Sequence, residues 1–151
     1  MIYEFCAENV TLLEKAMQAG ARRIELCDNL AVGGTTPSYG VTKAAVELAS
    51  NYDTTIMTMI RPRGGDFVYN DLEISIMLED IRLTAQAGSQ GVVFGALTAD
   101  KKLDKANLEK LIAASKGMEI VFHMAFDDLS DEDQLEAIDW LSQAGVTRIL
   151  T

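Results

Sequence analysis

The stretch Arg61-Pro62-Arg63-Gly64-Gly65-Asp66-Phe67 holds the densest chemistry in this chain, directly after the apolar run 55–60. A strand exit needs only a turn. Here two permanently charged guanidinium forks, each matched to carboxylate or phosphate, flank a proline that fixes the backbone between them. Paired glycines then allow the main chain to approach a ligand closely or to take unusual dihedrals. The pattern points to an anion site built on Arg61, Arg63, Gly64 and Gly65. The plain alternative is a strand end with solvated arginines.

Two further groups could do chemistry. Cys6 and Cys27 are the only cysteines. They are too far apart in sequence for a local chelate, but both fall at the expected ends of strands. Neighbouring strands stand about 4.8 Å apart, so level positions would bring the thiols together. Soft thiolates suit Cu(I), and the Met59 thioether could assist; otherwise both are small buried hydrophobes. Glu4, Glu25, Arg61, His123 and Asp127 form the second group. Carboxylates with a histidine supply general acid and base, and an arginine orients an anionic group. The competing reading is a buried salt-bridge network that holds the core.

The elements that must position these groups alternate along the chain. Short apolar or β-branched runs at 2–6, 23–27, 55–60, 91–94, 119–123 and 147–151 predict strands. Helical spacing lies between them: Ile74, Met77, Leu78, Ile81 and Ala85 share one face, as do Leu135, Ile138, Leu141 and Ala144. Ser38, Asp71, Asp104 and Ser130 predict N-caps, while Gly20, Gly88 and Gly145 predict left-handed C-caps. The result is a single α/β domain over residues 1–151 with about six parallel strands and five helices.

Strand parity separates a barrel from an open sheet. Ile24, Leu26, Ile56, Ile60, Ile120 and Phe122 share one parity and suit a helix-covered face. Glu4, Cys6, Arg23, Glu25, Cys27, Met57, Met59, Arg61, Val121 and His123 share the other. That polar and soft face fits a barrel lumen with its site at the C-terminal mouth. Because the chain stops inside the sixth predicted strand, the expectation is an incomplete barrel, truncated at its C-terminus. A second copy of the chain could then cover the open edge.

Composition narrows the partners. The chain has 151 residues, 48% hydrophobic and 24% charged, with a formal net charge of −10. Such an acidic balance argues against nucleic acid or an anionic membrane as partner. No apolar run approaches the roughly 20 residues a membrane span needs. The N-terminus leads straight into a strand, and two cysteines suggest free thiols, so a cytoplasmic location is expected.

Six segments in order resemble the CutC family of copper homeostasis proteins: Glu4-Phe5-Cys6, Ala21–Cys27, Gly33–Ser38, Met59–Phe67, Gly91–Leu97 and Phe122–Asp127. The resemblance implies a TIM-type (β/α)8 barrel and a role in copper handling. It also lends support to an anion-cradling use of the Gly33-Gly34-Thr35-Thr36-Pro37-Ser38 loop, with Thr36 among the ligand contacts. From its residues alone, that loop reads as a structural turn capped by Ser38. The chain departs from the family pattern at Met124, where an arginine is usual. Two functions follow: a Cu(I)-binding protein using Cys6 and Cys27, or a barrel enzyme acting on a small anionic metabolite at the mouth.

Overall fold

A computed structural model describes residues 1–151. It contains β1 (Glu4–Glu8), α1 (Leu13–Gln18), β2 (Arg23–Cys27), α2 (Tyr39–Ala49), β3 (Thr55–Met59), α3 (Asp71–Ala87), β4 (Gly91–Phe94), α4 (Lys105–Ala114), β5 (Glu119–Phe122), α5 (Asp131–Gln143) and β6 (Arg148–Ile149). Short 3-10 turns at Leu30–Val32 and Met124–Asp128 follow β2 and β5. All six strands are parallel and hydrogen-bond in chain order, β1 to β6. Each crossover therefore advances the same way, and right-handed connections put every helix on one side. The sheet curls into a half-barrel rather than reversing at a switch point as an open doubly wound sheet does.

Packing follows the two-residue period of the strands. Ile24, Leu26 and Ile56 pack with Leu13, Met17 and Ala45 of α1 and α2. Val92, Phe94, Ile120 and Phe122 pack with Ile74, Met77, Ile81, Leu108 and Leu111 of α3 and α4. On the opposite, concave face Cys27, Met57, Met59, Val93 and Val121 form a separate buried cluster. The face assigned by parity to a lumen is thus the concave one.

Several boundaries differ from the sequence-based expectation. β1 begins at Glu4, where its pairing with β2 starts opposite Arg23, rather than at position 2. It then runs on to Glu8, which leaves Cys6 in mid-strand. Asp71 is the first helical residue of α3. The cap is Asn70, which accepts from the Glu73 amide while the Glu73 carboxylate accepts from the Asn70 amide. Gly20, Gly88 and Gly145 do take the left-handed conformation, with φ of 98°, 90° and 92°. On α5 the expected apolar face holds at Leu141 and fails at Leu135 and Ile138. The core-facing positions are Ala137 and Leu141, while Leu135 and Ile138 turn to solvent.

The N-terminal end of the concave face is closed by charge. Arg23 of β2, only 4% exposed, reaches Glu119 of β5 at 3.2 Å and approaches Glu4 of β1 at 3.8 Å. Strands three apart in a flat sheet would stand about 14 Å from each other, so this pair meets because the sheet curls. Gly91 sits just above, where a Cβ would press on the Met57 side chain and lie 2.8 Å from the Glu119 carbonyl. Gly91→Ala should therefore lower stability by about 1–3 kcal/mol, the range for overpacking. The urea midpoint would fall with the slope unchanged; an unaltered midpoint would show that the strands yield freely.

Candidate functional site

Register decides which side chains meet. Cys6 stands opposite Glu25, and Glu8 stands opposite Cys27. The two thiols are therefore not level, as strand-end placement had suggested: Cys27 lies two residues further along its strand. They share a face nonetheless, and Glu25 lies between them. Cys6 Sγ donates to Glu25 Oε1 at 3.5 Å, and Cys27 Sγ donates to the same oxygen at 3.8 Å. One ligand atom each from Cys6, Glu25 and Cys27 fall within 4.8 Å of one another. Sequence reasoning placed Glu25 in the acid–base set; the alternation Glu25-x-Cys27 was the signal that it shares the thiols' face.

Electrostatics oppose ionisation of Cys27 and Glu25. The hydrogen bond with Cys6, burial and the adjacent Glu25 carboxylate together push the Cys27 thiol far above its ordinary pKa. Burial raises the Glu25 carboxyl, opposed by the hydrogen bond from Cys6. Its Oε2 is buried without a partner. Cys6 is exposed and Cys27 fully buried, so the cluster opens on the Cys6 side. Above Cys27 lies the glycine turn: a Cβ on Gly34 would sit 3.0 Å from Cys27 Sγ and 3.7 Å from Met59 Cε.

Most donors of the two arginines are taken by their own loops. Arg61 is 3% exposed, and its Nη1 donates to the Val32 carbonyl at 2.7 Å and the Gly34 carbonyl at 3.0 Å. Its Nη2 donates to the Gly65 carbonyl at 2.7 Å. It thereby ties the loop after β2 to the loop after β3, and Nε alone is left without a partner. Every nitrogen of Arg63 is engaged, by Glu73, Asp66 and the carbonyls of Gly64, Asp66 and Val68. Arg63 therefore has no donor to offer an anion; it anchors its loop to the start of α3. Gly64 is required by a close approach, since a Cβ there would lie 2.8 Å from Val32 Cβ. Gly65 takes φ of 84° and lends its carbonyl to Arg61. Thr36 Oγ1 accepts from the Arg61 amide at 2.9 Å, which makes Thr36 part of the same tie. Ser38 caps α2, as its residue type indicated.

The acid–base set divides. Glu4 lies at the N-terminal end of the lumen beside Arg23, far from a C-terminal mouth. Asp127 is exposed in the 3-10 turn, where its Oδ1 accepts from Thr151 at 2.5 Å. His123 is wholly buried just past β5, its ring 4.9 Å from that of Phe67. Its Nδ1 accepts from the Ala125 amide at 3.2 Å, so the proton of the neutral ring is on Nε2, which has no partner. Burial, then the Arg61 charge, lower its pKa to about 3. Arg61 and His123 stay together; Glu4, Glu25 and Asp127 each belong elsewhere.

A family model of the CutC family matches residues 1–151. The chain belongs to the CutC family. A CutC family protein of Enterococcus faecalis is 56% identical over 151 residues, all of this chain and 72% of that protein. The crystal structure of a Streptococcus agalactiae CutC, described as a candidate copper homeostasis protein, superposes with a TM-score of 0.95 at 50% identity. It covers 99% of this chain and 71% of its own. A Burkholderia cenocepacia protein described as a candidate phosphonomutase is 18% identical with a TM-score of 0.72, over 99% of this chain and 62% of its own; it shares the barrel fold. No helix of this CutC family member is long and apolar enough to cross a membrane.

His123 links the site to stability. Its pKa is near 6.5 in an unfolded chain and about 3 in the fold, so the unfolded state takes up the proton first. The stabilising contribution is full above about pH 6.5 and falls as pH drops toward 3, by up to about 1.4 kcal/mol per unit from this group. Urea midpoints measured from pH 7 to pH 4 should fall less steeply in His123→Gln than in the parent chain. By NMR the His123 ring should show no titration between pH 8 and 5; a midpoint near 6.5 would contradict its burial.

Proposed function

We propose that this CutC family chain handles copper by binding Cu(I) in the barrel lumen through Cys6 and Cys27. The observation that carries this reading is the convergence of the two thiols on Glu25 within 4.8 Å. Thiolates are the soft ligands that select Cu(I), whereas a lumen of carboxylates alone would suit harder ions. The Met59 thioether, packed in one buried cluster with Cys27, is a further soft donor beside them. The description of the Streptococcus agalactiae relative as a candidate copper homeostasis protein supports the same reading. Glu25 serves the thiols as hydrogen-bond acceptor and keeps both aimed at one point of the lumen.

Two outcomes test this. In a competition titration against a Cu(I) chelator, the chain should take up one Cu(I). The double variant Cys6→Ser, Cys27→Ser should weaken that uptake by more than about 100-fold, since losing even an outer-shell partner costs roughly 10–100-fold. Unchanged affinity in the double variant would refute the reading. Because both thiols must lose their protons, affinity should also rise with pH, approaching about two log units per pH unit where both protons are displaced. A flat profile between pH 6 and 8 would mean that the thiols are not the ligands.

A further inference from the structure

The C-terminal end of the lumen holds a set of buried donors that the copper reading does not use. Arg61 Nε, His123 Nε2 and the Tyr69 hydroxyl are all buried and all lack a hydrogen-bond partner. Their residues are 3%, 0% and 7% exposed. Leaving one buried donor unpaired costs about 1–3 kcal/mol, and more when the group is charged. Three in one neighbourhood is an unusual concentration, because native interiors pair the large majority of such groups. Arg61 and His123 both pack on Phe67, the guanidinium and the imidazole ring each 4.9 Å from its ring centroid, and the Arg61 charge is felt at His123. Arg61 also stands beside Tyr69, acting on its phenol by charge and as a donor toward its oxygen in a contact too poor in geometry to satisfy it, and the phenolic proton has no acceptor.

Charge sharpens the argument. Arg61 takes part in none of the ion pairs of the chain; its partners are neutral carbonyls. A buried guanidinium without a counter-charge is costly in a protein otherwise rich in carboxylates. His123 offers a fixed Nε2–H because Nδ1 is held by the Ala125 amide. Burial pushes the Tyr69 phenol up to about 12, so it too remains a donor. Two neutral donors and one cation together match an oxyanion, which accepts hydrogen bonds and carries the missing charge.

We propose that Arg61, His123 and Tyr69 form a binding recess for one oxyanion group, a carboxylate or phosphate of a small ligand, with Phe67 as its door. Phe67 stacks inward on Arg61 and His123. On its outer side it lines a cavity of about 330 Å³ together with Asp66, Val68, Leu97, Thr98 and Asp128. Turning the ring out into that cavity would open a path to the donors while the Leu97 amide keeps its bond to the Phe67 carbonyl. This recess uses no thiol and stands apart from the copper site.

His123 is the only histidine, so its ring is an unambiguous reporter. The full chain is titrated at pH 7 with inorganic phosphate and, separately, with malonate, against chloride at equal ionic strength. The expected result is a saturable shift of the His123 Nε2–H resonance with phosphate or malonate and none with chloride. The tighter probe names the ligand class. Tyr69→Phe, which keeps the ring, should weaken binding about 3- to 10-fold, the worth of one neutral hydrogen bond. Phe67→Ala should tighten it by removing the door. No saturable shift with either probe, in the parent chain or in Phe67→Ala, overturns the proposal. Saturation left unchanged by Tyr69→Phe overturns it as well.

Discussion

The parallel register between β1 and β2 is the constraint on which the candidate metal site depends. Side chains alternate across a strand, so sliding one strand by a single residue would send Cys6 to the helix-covered face and leave Glu25 and Cys27 behind. The slip is opposed on both sides. Ala7, Ile24 and Leu26 are buried against α1 and α2, while Arg23 is held at the lumen floor by Glu119 and Glu4. The apolar face thus pays for the polar one: burial under the helices is what brings two thiols to one carboxylate.

Arg61 plays the corresponding part at the other end of the lumen. Its guanidinium joins the turn after β2 to the turn after β3 by donating to neutral carbonyls of both. That tie lays Gly34 over Cys27 and closes the buried thiol from above. The metal cluster and the mouth are consequently not independent pieces of architecture. One loop roofs the first and supplies the acceptors that orient Arg61 in the second.

Much of this was legible in the sequence, for reasons that differ by element. The period of two placed Ile24, Leu26, Ile56, Ile120 and Phe122 under helices and left Cys6, Glu25, Cys27 and Met59 for the lumen, because one methylene-rich face must be buried. Strand ends were less legible: pairing with β2 continues through Ala7 and Glu8, so β1 ends later than its apolar run and Cys6 falls in mid-strand. The face of α5 was misread in part, since Leu135 and Ile138 have the right spacing, yet the buried stripe runs through Ala137 and Leu141. The arginines were the hardest case. Residue type signals an anion, but nothing in the spacing tells that carbonyls of the neighbouring turns, and Glu73 and Asp66, take up the donors of Arg63. Tyr69 went unnoticed because a tyrosine before a helix is usually packing, and only its burial without a partner marks it.

The account turns on where Cu(I) goes. The most direct measurement is anomalous scattering at the copper edge from crystals of the full chain loaded with Cu(I) under reducing conditions. The predicted result is one peak within bonding reach of both Cys6 Sγ and Cys27 Sγ, beside Glu25. Copper at other side chains, with both thiols bare, would contradict it.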